Sequence, residues 1–238
     1  MDDLQCGGLK VIQNPSLFCF GTDAVLLANF ARIPNRGLCA DLGTGCGVIP
    51  LLLSRKTKAA KIYGIEIQPD AAEMAARSVR LNGLEDRIEM MCMDLKDAHH
   101  ALPRGKMDAV TCNPPYGKPG CGPESCEGSH AISRFEQAAG MEDILKAAFA
   151  LLKNSGHFYC IQQSSRLAEI FTLMHVHRLE PKRLLPVQPF PDKGANLVLI
   201  ECIKLGKPGL IFLPTLTVWE RAGVYTPRMQ RLYEGGTL

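Results

Sequence analysis

The sequence contains no apolar run of about 18 residues or more, so nothing in it reads as a membrane-spanning helix. Its first residues, Met1-Asp2-Asp3-Leu4-Gln5, lack the basic start and apolar core of an export signal, and a cytoplasmic placement is expected. Aromatic residues are scarce, at 6% with a single tryptophan, which leaves a core built mainly from aliphatic side chains. A strong excess of one charge is missing too: the formal net charge is +3, too small to select a partner by itself. There is no internal repeat and no sign of a second domain.

Cysteine, in contrast, is plentiful. The ten cysteines stand at positions 6, 19, 39, 46, 92, 112, 121, 126, 160 and 202. They are scattered, and Cys39, Cys112 and Cys160 lie inside apolar runs, so free buried thiols acting as small hydrophobes explain them better than a disulfide framework. Cys121, Cys126 and His130 could bring two thiols and an imidazole together. Their spacing is not that of a usual closed zinc site and no fourth ligand is obvious, so no metal is expected.

A chain of 238 residues with 46% hydrophobic content can bury a sizeable core in one α/β domain. Five strand-like segments alternate with helical patterns: Leu38–Leu42, Lys61–Ile67, Ile88–Met91, Met107–Cys112 and His157–Ile161. Helices are expected over Val48–Arg55, Asp70–Leu81, Met141–Lys153 and Ser164–His177. Asn82-Gly83 and Asn154-Ser155-Gly156 serve as stops, and Ser164 or Ser165 as a cap. This is the pattern of a parallel sheet with crossover helices. Two further strands, Lys182–Val187 and Ala195–Ile203, flank a Pro-rich turn and predict a closing hairpin with one strand antiparallel to the rest.

Residues 1–36 read as a hairpin, with Leu9–Ile12 and then Leu17, Cys19 and Phe20, followed by a helix over Asp23–Phe30. Residues 37–203 are the expected core and 204–238 a basic tail. Gly117–Ser133 has almost no large apolar side chain and is expected to be a mobile loop. Residues 182–238 carry eight Lys or Arg against four Asp or Glu, whereas residues 1–181 carry 19 against 20. That unevenness suits a polyanionic partner and equally suits a solvated edge.

Two sites of chemistry stand out. Asp41-Leu42-Gly43-Thr44-Gly45-Cys46-Gly47 leaves a strand and enters a helix, where glycines allow a tight turn and close approach to a ligand. The spacing is not the Gly-x-Gly-x-x-Gly of dinucleotide binding, and Asp41 would crowd a pyrophosphate while welcoming a positively charged amino-acid end. S-adenosylmethionine is therefore favoured over NAD. Glu66, 25 residues beyond Asp41 at the end of the second strand and followed by Ile67, can accept from ribose hydroxyls. Asp94 follows the third strand and can accept from an adenine amino group.

The fourth strand runs directly into Asn113-Pro114-Pro115-Tyr116. An amine conjugated to a ring or a carbonyl is a poor nucleophile because its lone pair is delocalised. Accepting its two N–H groups, at the Asn113 side-chain oxygen and the Pro114 carbonyl, orients it and stabilises developing positive charge. Tyr116 offers a flat face for stacking the acceptor. An ordinary strand-to-loop turn is the plainer alternative.

Together these residues resemble class I S-adenosylmethionine-dependent methyltransferases. The detailed likeness is to the bacterial tRNA1(Val) adenine N6-methyltransferase family, over nearly the whole chain. It rests on Phe20–Ala28, Asp41–Pro50, Asn113–Tyr116, His130–Glu136 and Pro191–Leu199. The resemblance implies a Rossmann-like, seven-stranded, mostly parallel sheet with a C-terminal antiparallel strand. It also implies N6-methylation of an adenine beside the anticodon of a tRNA, with S-adenosyl-L-methionine as cofactor. Thr22 and Asp23 are then expected against the cofactor and Arg134 at the rim of the site; read locally, Thr22 or Asp23 is simply a helix cap. Lys204, Lys207, Arg221, Arg228 and Arg231 are candidates for phosphate contacts, and a monomer is expected.

The rival enzyme is a glutamine N5-methyltransferase acting on release factors, which shares Asn-Pro-Pro-Tyr but carries a sizeable helical domain ahead of the cofactor fold. DNA adenine methyltransferases need extra residues to read a duplex. A catalytically idle RNA-binding module is disfavoured by Asp41, Glu66 and Asn113. His99-His100 reads as surface decoration.

Overall fold

The computed structural model describes residues 2–4, 6–14, 21–114, 140–234, 236 and 238. Strand and helix alternate as expected: β3 (Leu38–Leu42), α2 (Val48–Lys56), β4 (Lys61–Glu66), α3 (Pro69–Leu81), β5 (Ile88–Cys92), a short α4 (Ala98–Ala101) and β6 (Met107–Cys112). The chain moves outward from β3 through β4 to β5, then returns so that β6 pairs with the other side of β3, all in parallel. That reversal opens a crevice at the carboxyl ends of β3 and β6, where open α/β sheets bind ligands.

Beyond β6 come α5 (Met141–Leu151), β7 (Leu152–Gln163), α6 (Leu167–Val176), β8 (Leu179–Gln188) and β9 (Leu197–Lys204). β9 lies between β7 and β8 and is antiparallel to both, which is the closing hairpin read from the sequence. The seven strands β3–β9 form the expected sheet, and among the described residues two short strands extend it to nine. The two-residue strands β10 (Ile211–Phe212) and β11 (Leu216–Thr217) add in parallel to the outer edge of β8.

Strands buried on both faces read as near-continuous apolar runs. One face is covered by α1 (Thr22–Phe30), α2 and α3, packing Val25, Phe30, Leu51, Leu53 and Val79 around Cys39, Ile62 and Tyr159. The other face takes Ile144, Leu145 and Leu151 of α5 and Ile170 and Met174 of α6, against Leu42, Val110 and Phe158. Cys6, Cys39, Cys46, Cys112, Cys160 and Cys202 are buried free thiols. Burial pushes Cys39, Cys112, Cys160 and Cys202 above the ordinary thiol range, which keeps them protonated and inert.

Four local expectations change. The N-terminal hairpin joins β1 (Asp2–Asp3) to β2 (Lys10–Val11), because Gly7 and Gly8, at φ of +62° and +78°, turn the chain back early. Of the second arm expected from the sequence, Leu17, Cys19 and Phe20 lie outside the described residues. Helix α5 stops at Leu151, because Leu152 is already drawn into the sheet opposite Met107 and Lys153 reaches Asp108. Ser164 opens a single 3₁₀ turn, and its hydroxyl donates to the Ala195 carbonyl at 2.7 Å instead of capping a helix.

The fourth change concerns the expected basic tail. Beyond β10 and β11 it forms a hairpin, β12 (Trp219–Arg221) and β13 (Val224–Tyr225), and a helix, α7 (Pro227–Tyr233). Thr226 starts α7 by accepting from Met229 N, and Pro227 occupies the first turn, where no N–H is needed. Leu216, Met229 and Leu232 are buried in the same cluster as α1 and α2. Lys56 donates to both Asn29 (2.7 Å) and the Leu232 carbonyl (3.2 Å), tying α2, α1 and α7 together.

Candidate active site

Asp41 is the penultimate residue of β3, Glu66 ends its neighbour on one side, and Asn113 follows its neighbour on the other. The parallel register sets Asp41 beside Gly64 and Thr111, so three chemically distinct groups reach one sheet edge from three adjacent strands.

Asp41 is fully buried. Its Oδ1 accepts a 2.6 Å hydrogen bond from Thr111 Oγ1, while Oδ2 has no partner among the described residues. The buried Thr44 hydroxyl faces the same carboxylate and helps hold its pKa down, although among the described residues it has no partner with good hydrogen-bond geometry. Burial, against the pull of the Thr111 and Thr44 hydroxyls, pushes the Asp41 carboxyl up to about 7, and the nearby charge of Glu66 adds to the rise. A buried acid with one oxygen lacking a well-formed hydrogen bond is costly in isolation and suited to a cationic, hydrogen-bonding ligand.

The glycine loop turns with Gly43, Gly45 and Gly47 at φ of +68°, +57° and +82°. The Gly43 and Thr44 amides both donate to the Ile65 carbonyl, which clamps the loop onto β4. A side chain at Gly47 would strike Met90 and Ala75, whereas one at Gly45 would meet nothing within 4 Å among the described residues. The loop is therefore closed underneath and open above Gly45.

Glu66 is 2% exposed, with Oε2 accepting from Gly45 N and Oε1 from Gln68 N, both at 2.9 Å. The Ile67 amide also acts on this carboxylate, and three amide donors still leave it acceptor capacity. Burial raises its carboxyl above the ordinary value despite these amides. Ile67, next in the chain, is partly exposed. Asp94 accepts from Lys96 N at 2.9 Å, capping a 3₁₀ turn, and pairs with the Lys96 ammonium at 3.1 Å.

Asn113 Nδ2 donates to Asp23 Oδ2 at 3.0 Å, so the nitrogen end of the amide is turned toward α1. Asp23 Oδ1 in turn accepts from Ala24 N at 2.9 Å, and the helix N-cap is Gly21, not Thr22 or Asp23. Pro114 is described and buried; Pro115, Tyr116, Arg134, Cys121, Cys126 and His130 lie outside the described residues, as does the loop expected over 117–133.

The five basic candidates divide between opposite ends of the sheet. Lys204 is a correction: its ammonium donates to the Phe149 and Leu152 carbonyls, each at 2.7 Å, and its side chain is buried. It caps the end of α5. Because β9 runs antiparallel, Lys204 and the following Lys207 sit at the amino edge, roughly 23 Å of strand from the carboxyl edge. Arg221, Arg228 and Arg231 lie beyond β11, which pairs with the last residues of β8 at the carboxyl edge.

Several groups at this edge carry no sequence signal of their own. Thr111 looks like an ordinary strand residue until the register sets it against Asp41. Gln162, near the end of β7 and 1% exposed, has a side chain with no hydrogen-bond partner among the described residues. Tyr233, on α7, reaches Thr22. Only pairing across the sheet or packing of the tail brings these residues in.

A sequence model of the methyltransferase small domain matches residues 8–176. The chain belongs to the methyltransferase small-domain family. The tRNA1(Val) (adenine(37)-N6)-methyltransferase of Porphyromonas gingivalis is 30% identical over 224 residues, covering 90% of this chain and 86% of that one. The Flavobacterium johnsoniae protein of the same name is 29% identical over 92% of both chains. Among solved structures, one described as a predicted O-methyltransferase from Agrobacterium tumefaciens superposes with a TM-score of 0.73 at 24% identity, over 90% of this chain and 97% of that one. It shows the shared fold alone.

The family implies S-adenosylmethionine, and the residues fit it. The second oxygen of Asp41 and the Thr44 hydroxyl suit a cationic amino-acid end, Glu66 suits ribose hydroxyls, and among the described residues the space above Gly45 is open.

Proposed function

We propose that this protein methylates N6 of an adenine beside the anticodon of a tRNA, with S-adenosylmethionine as donor. The observation that carries the reading is Asn113, anchored through its amide nitrogen on Asp23 and set at the crevice edge beside Asp41 and Glu66. The names of relatives aligned over most of the chain supply the substrate class.

Bound S-adenosylmethionine supplies a methyl group already activated on a sulfonium, so the chain needs neither a nucleophile nor a metal. Asp41, Thr44, Gly43, Gly45 and Gly47 hold the amino-acid end, with Thr22 and Asp23 alongside. Glu66 and Ile67 hold the ribose, and Asp94 meets the adenine of the cofactor. Asn113 Oδ1 and the Pro114 carbonyl accept the two N–H groups of the target amine, directing its lone pair at the methyl and stabilising positive charge as it forms. Pro115 stiffens the turn, Tyr116 stacks the target base and Arg134 lines the rim. Arg221, Arg228 and Arg231 contact phosphates, and the protein works as a monomer.

Glutamine N5-methylation poses the same chemical problem at Asn113, but the curated relatives favour RNA. The deciding experiment is mass spectrometry of nucleosides from tRNA incubated with the protein and S-adenosylmethionine. N6-methyladenosine is the expected product. Transfer to a release factor with none to RNA would sink the reading.

A further inference from the structure

The tail brings three of the chain's few aromatic rings into one stack. Trp219 and Tyr225 lie nearly parallel, with centroids 4.0 Å apart and planes 12° apart. Tyr225 and Tyr233 follow at 5.3 Å and 26°. The Tyr225 and Tyr233 hydroxyls meet at 3.3 Å. Tyr233 also reaches the Thr22 side chain and lies near the charge of Asp23, whose carboxylate holds Asn113. The ladder therefore begins at the candidate active site and runs outward to Trp219.

All three rings are partly exposed. Tyr225 is flanked by both of its neighbours, but among the described residues no further ring or cation lies against Trp219. In the same segment Arg221 and Arg231 are exposed and Arg228, whose guanidinium also reaches the Pro214 and Thr215 carbonyls, is partly so, against Glu220 and Glu234. An aromatic platform flanked by arginines fits an unpaired nucleotide: the base extends the ring stack and the phosphate meets the guanidinium groups. The platform is also firmly held. Thr226 donates to the Thr217 carbonyl at 2.7 Å, and Met229 and Leu232 anchor α7 in the core.

We propose that Trp219, backed by Tyr225 and Tyr233, stacks an unpaired base of the RNA strand next to the adenine held at Asn113. This rests on the RNA-modifying function proposed above and adds a second point of grip on the same strand. It assigns the tail to base stacking beside the site rather than to phosphate contact alone.

Trp219 is the only tryptophan in the chain, so its fluorescence reports on this position alone. The full-length protein is titrated with a single-stranded oligoribonucleotide and with tRNA, binding is measured in parallel by filter retention, and methyl transfer is followed by nucleoside mass spectrometry. Saturable quenching of Trp219 that tracks binding is expected. Trp219→Ala should weaken RNA binding about 5- to 100-fold, leave S-adenosylmethionine affinity unchanged, and be largely rescued by Trp219→Phe. If Trp219→Ala fails to fold, the wild-type titration and Trp219→Phe still decide the question. RNA that binds and is methylated without changing the fluorescence would overturn the stacking role alone. Absence of both RNA binding and RNA methylation would overturn it together with the proposed function.

Discussion

Asp41 and Glu201 are both buried carboxylates on adjacent parts of one sheet, and their surroundings could hardly differ more. Glu201, on β9 in the antiparallel half, accepts from Arg183 at 2.7 Å, pairs with His157 Nδ1 at 2.8 Å and accepts from Tyr159 at 3.3 Å. Arg183 itself lies over the Phe30 ring. Burial pushes the Glu201 carboxyl up, but His157 and Arg183 outweigh it and hold the acid below its ordinary value. Asp41, in the parallel half, has only hydroxyls to offset its burial, with one oxygen lacking a well-formed hydrogen bond among the described residues, and burial wins. Burial of a charge is thus no mark of function by itself. What separates the two is that Glu201 is paired on both oxygens, whereas Asp41 keeps one oxygen without a well-formed hydrogen bond among the described residues.

The contrast can be broken in three ways. The largest effect is expected next to the unsatisfied half. Asn113→Ala should lower methyl transfer on the order of a thousandfold while S-adenosylmethionine binding, followed by calorimetry, persists. Equal loss of both would mean that Asn113 serves the cofactor and not the acceptor amine.

Glu201→Gln should cost about 3–5 kcal/mol of stability in urea denaturation, because the Arg183 charge is left buried with a neutral partner. The ion pair stabilises the fold above the ordinary carboxylate pKa of 4.5 and is lost as pH falls through the lower folded value. The mutant should therefore lose this acid-side dependence.

Asp41→Asn should act in the opposite sense. The folded pKa of about 7 lies above the ordinary 3.8, so this group's contribution is complete below pH 4 and is lost as pH rises toward 7. Removing the charge should raise stability of the ligand-free protein at pH 8 by at most about 4 kcal/mol while weakening S-adenosylmethionine binding. A less stable mutant would show that Asp41 is a satisfied structural acid like Glu201.

Much of the site was legible before folding. Strands Leu38–Leu42 and Met107–Cys112 have the bounds expected from the sequence, and Asp41, Glu66 and Asn113 stand at the ends of consecutive parallel strands. In a parallel sheet with crossover helices every strand points the same way, so residues at strand ends collect at one edge without knowledge of long-range pairing. The glycine loop is similarly local, because its three positive φ values are permitted by glycine itself.

Lys204 shows where that logic stops. Local composition groups it with Arg221, Arg228 and Arg231, but the reversed direction of β9 carries it to the opposite edge and buries it against α5. The Asp23–Asn113 bond, the Thr111–Asp41 bond and the three-donor environment of Glu201 likewise join residues 90, 70 and up to 44 positions apart. Periodicity and turn chemistry act over a few residues, so the sequence by itself determined the order of elements, the faces they bury and the edge that holds the chemistry. Which charges are satisfied, and the route by which a basic tail becomes an aromatic platform beside Thr22, depend on register and packing between distant segments. Only the tertiary structure decided those.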